Sequence, residues 1–207
     1  MPDARSSRRA QAERSLESRE RILSAAVECL VVAGYSRTNT SSIQAHAGVS
    51  RGRLLHQFPS KDELLVAAAH HVSAQRLAET EATAGSLPSA ARDPGPRLDA
   101  VIEVTWQTFD RPYFWAATEL WLAARTSPEL ARVILPGERR LGAAIRTTLD
   151  ALYGPELAAH SLYPTVRDVV FTSMRGVAMT YAFDERDPAT EPALGSWRTL
   201  ARSVLHG

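Results

Sequence analysis

Cys29 is the only cysteine, so no disulfide can form within the chain, and a reducing compartment fits best. No stretch reaches the roughly 18 uninterrupted apolar residues of a membrane span, and Met1 to Arg9 lacks the apolar core of a secretory signal. The expectation is a soluble, cytoplasmic protein with no membrane partner. Sustained period-two alternation is missing, and so is any internal repeat, which points to an all-α fold. Signatures of catalysis are equally scarce. His70 and His71 are adjacent, so they project about 100° apart on a helix and cannot grip one metal ion together. His160 stands alone, and there is no phosphate-binding loop or nucleophile motif. An enzyme is therefore the weaker class, and no cofactor is expected.

What is present is an ordinary globular composition over 207 residues, 44% hydrophobic and 23% charged, enough to bury a real core. The net charge of +1 hides an asymmetry. Residues 1–61 carry nine Arg and one Lys against five acids, whereas residues 62–207 carry fourteen Arg against eighteen acids. A basic head on an acidic body suggests a polyanionic partner for the head alone.

Residues 1–14, with Arg5, Arg8 and Arg9, show no apolar periodicity and are expected as a disordered basic arm. Ile22, Ala25, Ala26, Cys29, Leu30 and Ala33 then mark one face of a helix, with Gly34 placed for a left-handed C-cap. Thr40 is expected to cap a short helix over Ser41 to Ala47. Ser50 is expected to cap another from Arg51 to about Gln57, stopped by Phe58-Pro59. Ser60 and Glu63 form a capping box that opens a longer helix to about Thr83. The run from Gly85 to Arg97, with Pro88, Pro94, Gly95 and Pro96, reads as a loop. Helices follow near 97–109, 112–126, 128–152, 156–162, 164–183 and 192–205, with Pro136-Gly137 kinking or splitting the third.

Two short helices joined by a tight glycine turn at Gly48, within a three-helix core, describe a helix-turn-helix. Ile43, Ala47, Val49, Leu54 and Phe58 would pack it. The outward positions of its last helix are Arg51, Arg53, His56 and Gln57, donor-rich side chains that suit phosphates and base edges in a major groove. A merely solvated polar face is the alternative. Residues 20–70 resemble the head of the TetR family of one-component bacterial regulators. The resemblance lies in an ordered combination: RERILSAAVECLVVAGYSRTNTSSIQAHAGVS, then RGRLLHQFPSKDELL.

The resemblance implies a homodimeric, ligand-responsive repressor on a palindromic double-stranded DNA operator. A DNA-binding regulator without a small-molecule ligand, controlled by abundance or a protein partner, is the alternative. It implies a DNA-binding domain over 15–60 and a ligand-binding and dimerisation domain over 61–207. Thr40 and Ser41 would then contact the phosphate backbone. Arg51, Gly52, Arg53, His56 and Gln57 would face the groove, and Lys61 would hold a phosphate at a helix N-terminus. The chain departs from the pattern at Leu55, where the family often has a backbone-contacting tyrosine; a leucine can touch a thymine methyl but cannot donate. Gly52 weakens its helix yet allows close backbone approach.

In the body, six of the fourteen aromatics fall between Trp106 and Trp121. Trp106, Phe109, Phe114, Trp115, Thr118, Glu119 and Trp121 are candidates for an apolar or aromatic effector pocket of the kind the resemblance implies; core packing is the alternative. Glu119, a carboxylate in an apolar helix, needs a partner, and an arginine of the body is one candidate. Near the end, Val169, Ser173, Gly176 and Thr180 form a small-residue stripe beside Val170, Met174, Val177 and Tyr181. Trp197, Leu200, Ala201 and Val204 give the last helix its apolar face. These two helices are expected at a two-fold interface, as in the resembled family, with packing inside one subunit as the alternative.

Overall fold

A computed structural model describes residues 4–184 and 186–206. Its helices, among the described residues, are α1 (Ala4–Arg37), α2 (Thr40–Ala47), α3 (Arg51–Gln57), α4 (Lys61–Ala82), α5 (Gly95–Gln107), α6 (Pro112–Ala124), α7 (Pro128–Ala158), α8 (Tyr163–Thr180) and α9 (Ala193–Leu205). Single turns of 3₁₀-helix lie at Thr83–Ser86 and Pro188–Thr190, and no strand occurs among the described residues. The fold is all-α, as expected.

Two compact units are present. The first joins Met1–Ser73 to Trp115–Leu141, and the second joins Ala74–Phe114 to Gly142–Gly207. In the first unit, Ile22, Leu30, Ile43, Leu54, Phe58 and Leu65 are buried in one core with Ala116 and Leu120 of α6 and Leu130 and Ile134 of α7. The second unit is built around rings. Trp106 lies 5.2 Å from Trp197 and 5.9 Å from Tyr181 between centroids, and Phe109 lies 5.3 Å from both Phe114 and Phe171. Such tilted and edge-on contacts suit the ring quadrupole.

Several local expectations change. The arm expected over 1–14 is helical from Ala4, its first three residues lying outside the described ones. Residues 11–17 are all exposed, so this stretch is supported by local propensity and pairs such as Arg9–Glu13 rather than by packing. The cap of α2 is Asn39, not Thr40: its side chain accepts from the Ser42 amide at 2.9 Å while the Ser42 hydroxyl accepts from the Asn39 amide. Ser50 caps α3 as expected, accepting from the Arg53 amide at 3.3 Å. Ser60 accepts from the Glu63 amide at 3.1 Å.

Pro136-Gly137 does not break α7. The proline removes one donor from the ladder, and the helix carries on to a break at Gly154 (φ 82°, ψ 165°). That break frees carbonyls which Arg97 takes up: its guanidinium donates to the carbonyls of Leu152, Tyr153 and Ala151. Gly137 has a packing role instead, because a Cβ there would lie 1.9 Å from Cε1 of His70. No helix among the described residues is long and apolar enough to cross a membrane.

Candidate nucleic-acid interface

The turn between α2 and α3 depends on Gly48, which sits in the left-handed region (φ 61°, ψ 38°) with its amide bonded back to α2. A side chain there would have open space, so conformation alone demands glycine. Leu54 and Phe58 are buried and anchor one face of α3 against Ile43 and Ala47. The opposite face is therefore fixed by the period of the helix. Arg51, Gly52, Arg53, Leu55 and His56 are exposed on it. Among the described residues, the side chains of Arg51, Arg53 and His56 have no hydrogen-bonding or ionic partner. Three donor side chains thus stand open on a short helix held rigidly from behind.

Gln57 is only half-exposed, and its Oε1 is buried without a partner, so it sits at the rim of this face. Ser41 is exposed and Thr40 half-buried at the start of α2. Arg19 stacks its guanidinium 4.6 Å from the centre of the Phe58 ring.

Lys61 is more engaged than the sequence suggests. Its Nζ donates to the Tyr35 carbonyl at 2.7 Å and lies 4.0 Å from the centre of the Tyr35 ring. Burial pushes the ammonium below its usual pKa, with neighbouring Asp62 acting the other way. An ammonium has three donors, so others remain for a phosphate. Tyr35 was not singled out from the sequence, yet it ties α1 to α4 a second time, its hydroxyl donating to Asp62 Oδ1 at 2.7 Å. Burial, then the Asp62 hydrogen bond and charge, push the phenol up to about 12. A polar aromatic placed directly after a helix-ending glycine was the available signal.

The expected effector residues are divided between the two units. Trp106, Phe109 and Phe114 belong to the ring cluster of the second unit, whereas Trp115, Thr118, Glu119 and Trp121 belong to the first. Trp121 packs against the head core. Among the described residues no arginine pairs with Glu119; its Oε2 accepts from the backbone amide of Tyr35 at 2.9 Å. In the ring cluster, Trp106 Nε1 donates to the Pro188 carbonyl at 2.8 Å.

The two stripes on α8 also separate. Val170, Met174 and Ala178 are buried, while Val169, Ser173 and Gly176 are exposed and Val177 and Thr180 are half-buried. On α9, Leu200 is exposed and Val204 half-buried. Trp197 and Ala201 point inward, with Trp197 Nε1 donating to Ser173 Oγ at 3.0 Å, so these two serve the unit's own core.

A buried-backed, donor-faced helix after a left-handed glycine turn defines a helix-turn-helix regulator that binds DNA. Residues 22–68 match the model of bacterial regulatory proteins of the tetR family. The chain is 25% identical over 171 residues to an uncharacterised HTH-type transcriptional regulator of Mycobacterium tuberculosis, covering 83% of this chain and 86% of that one. Over 60 residues it is 43% identical to the HTH-type transcriptional regulator CymR of Pseudomonas putida, covering 29% of this chain and 30% of that one. In fold it is similar to GusR of Salmonella enterica, with a TM-score of 0.63 at 19% identity over 92% of this chain and 96% of the other. Residues 22–68 are thus a tetR-type DNA-binding head, and the chain as a whole is similar to HTH-type transcriptional regulators.

Proposed function

We propose that this regulator is a repressor that reads a palindromic operator as a homodimer, each α3 entering a major groove. The open donor face of Arg51, Arg53 and His56 on a helix pinned by Leu54 and Phe58 carries the reading. Base edges are read by such donors, while Ser41, Thr40 and the free donors of Lys61 would hold phosphates. Leu55, 41% exposed beside them, offers a thymine methyl its only apolar contact from this face. Two heads on a two-fold axis would address half-sites about 34–36 Å apart, or a multiple of that.

The test is in vitro selection of duplexes from a random library, followed by binding of the recovered sequence. Arg53→Ala should cost roughly 1–3 kcal/mol on the selected duplex and relax base preference, whereas Lys61→Ala should weaken all sequences alike and lower the salt slope by about one. Unchanged selection by Arg53→Ala would remove α3 from the groove.

The regulatory half of the proposal is an apolar or aromatic effector taken up at the Trp106, Phe109 and Phe114 cluster. One observation favours a second reading, a regulator controlled by abundance or by a protein partner. The rings there pack on one another, and the indole N–H groups of Trp106 and Trp197 are both satisfied internally. A thermal-shift screen of lipophilic metabolites, drugs and acyl-coenzyme A species separates the two, because a ligand of the folded state raises stability by mass action.

A further inference from the structure

Glu119 sits eighty-four residues beyond Tyr35 in the chain and belongs to the same compact unit. The break at Gly34 (φ 73°, ψ 168°) takes the backbone out of the helical ladder just before Tyr35. An amide released in this way needs a new acceptor. Glu119 Oε2 provides it at 2.9 Å, and the fit is close: a Cβ on residue 34 would come within 3.0 Å of the same oxygen. The remaining polar groups of Tyr35 go to α4, the carbonyl to Lys61 Nζ and the hydroxyl to Asp62. One residue thus joins the end of α1, the start of α4 and the middle of α6. Thr38 then anchors the chain to α1 through the carbonyls of Cys29 and Gly34, and Asn39 opens α2 immediately afterwards. Any shift at Tyr35 is passed within four residues to the helix pair that faces DNA.

We infer that Glu119 is a positioning residue for DNA recognition: its carboxylate, reaching from α6 to the Tyr35 amide, sets the orientation in which α2 and α3 meet a duplex. The inference rests on α3 as the reading helix. Base-edge contacts require a fixed orientation, whereas the sequence-independent attraction to phosphates does not. Glu119 therefore acts on discrimination more than on total affinity.

Two variants keep a polar side chain of similar burial and differ in what they preserve. Glu119→Gln keeps reach and an acceptor oxygen but loses the charge. Glu119→Asp keeps the charge but is one methylene too short. A duplex recovered by selection with the wild-type protein and a random-sequence duplex serve as probes, with Arg53→Ala as a control. Glu119→Asp is expected to lower affinity for the selected duplex about tenfold and to leave the random duplex within about twofold, while Glu119→Gln stays within about twofold on both. Hydrogen exchange at the Tyr35 amide should become fast in Glu119→Asp and stay slow in Glu119→Gln. Wild-type discrimination by Glu119→Asp, or an equal loss in both variants, overturns the inference. If Arg53→Ala loses discrimination and Glu119→Asp does not, only the role of Glu119 falls. If both retain it, α3 is not the reading helix and the inference falls with that reading.

Discussion

Replacing Gly34 by alanine asks the head for a backbone conformation that side chains rarely adopt. The pair φ 73°, ψ 168° lies outside the left-handed helical well, in a region essentially confined to glycine, and forcing another residue into it costs about 1–3 kcal/mol. The new Cβ would stand 3.0 Å from Glu119 Oε2, so the carboxylate must retreat by a few tenths of an ångström. That weakens a charge-assisted hydrogen bond of the class worth about 1.5–3 kcal/mol. The loss of unfolded-chain freedom works the other way by about 0.4–1 kcal/mol. The balance is a destabilisation of about 2–4 kcal/mol, a fall in melting temperature of roughly 4–16 °C for a chain of this size. Differential scanning calorimetry on the two proteins measures it. A rise in melting temperature would refute the reasoning, because a glycine inside a regular helix gains about 1 kcal/mol on becoming alanine.

Gly137→Ala should cost about 1–3 kcal/mol by driving the His70 ring out of place and breaking its 3.0 Å contact with Glu138; in a His70→Ala background the same change should be nearly silent, as a double-mutant cycle would show. Gly176→Glu places a charge on the exposed face of α8, where a side chain meets nothing within 4 Å, so the subunit should fold normally and the proposed dimer should give way to monomer in sedimentation velocity. All five tyrosines have pKa values raised by burial first of all, those of Tyr35, Tyr153 and Tyr181 to about 12. Because the neutral phenol is the form favoured by folding, this contribution is whole below the unfolded value near 10 and is lost as pH rises through 12. Phenolate absorbance should therefore develop at higher pH than for free tyrosine, with stability falling over the same range.

Much of the head was legible because its signals are local. Ser50 and Phe58-Pro59 bracket α3, and Gly48 marks the turn. The error at α2 was also local: Asn39 and Thr40 are both good caps, and the Ser42 hydroxyl, three residues after Asn39, decides between them. Pro136 misled because the proline rule weighs one lost hydrogen bond, whereas packing holds α7 there, with Leu130 and Ile134 buried in the head core before the proline and Gly137 seated against His70 just after it. On α8 two adjacent stripes were seen, but a helical wheel does not say which one faces inward. Burial settles that, since Val170 and Met174 are buried and Val169 is not. The partner of Glu119 left no trace in the sequence, being a backbone amide released by a glycine far upstream.

The sharing of one core between the head and parts of α6 and α7 bears on how such regulators are recombined. A chimaera that cuts after residue 60 and grafts the front piece onto a foreign sensor would carry the reading helix without Ala116, Leu120, Leu130 and Ile134, which complete the core that the head shares. The transplant would inherit the letters of the operator code on a loosened mount. A graft that also imports residues 115–141 would carry its own backing, so the exchangeable module in this protein is discontinuous in sequence.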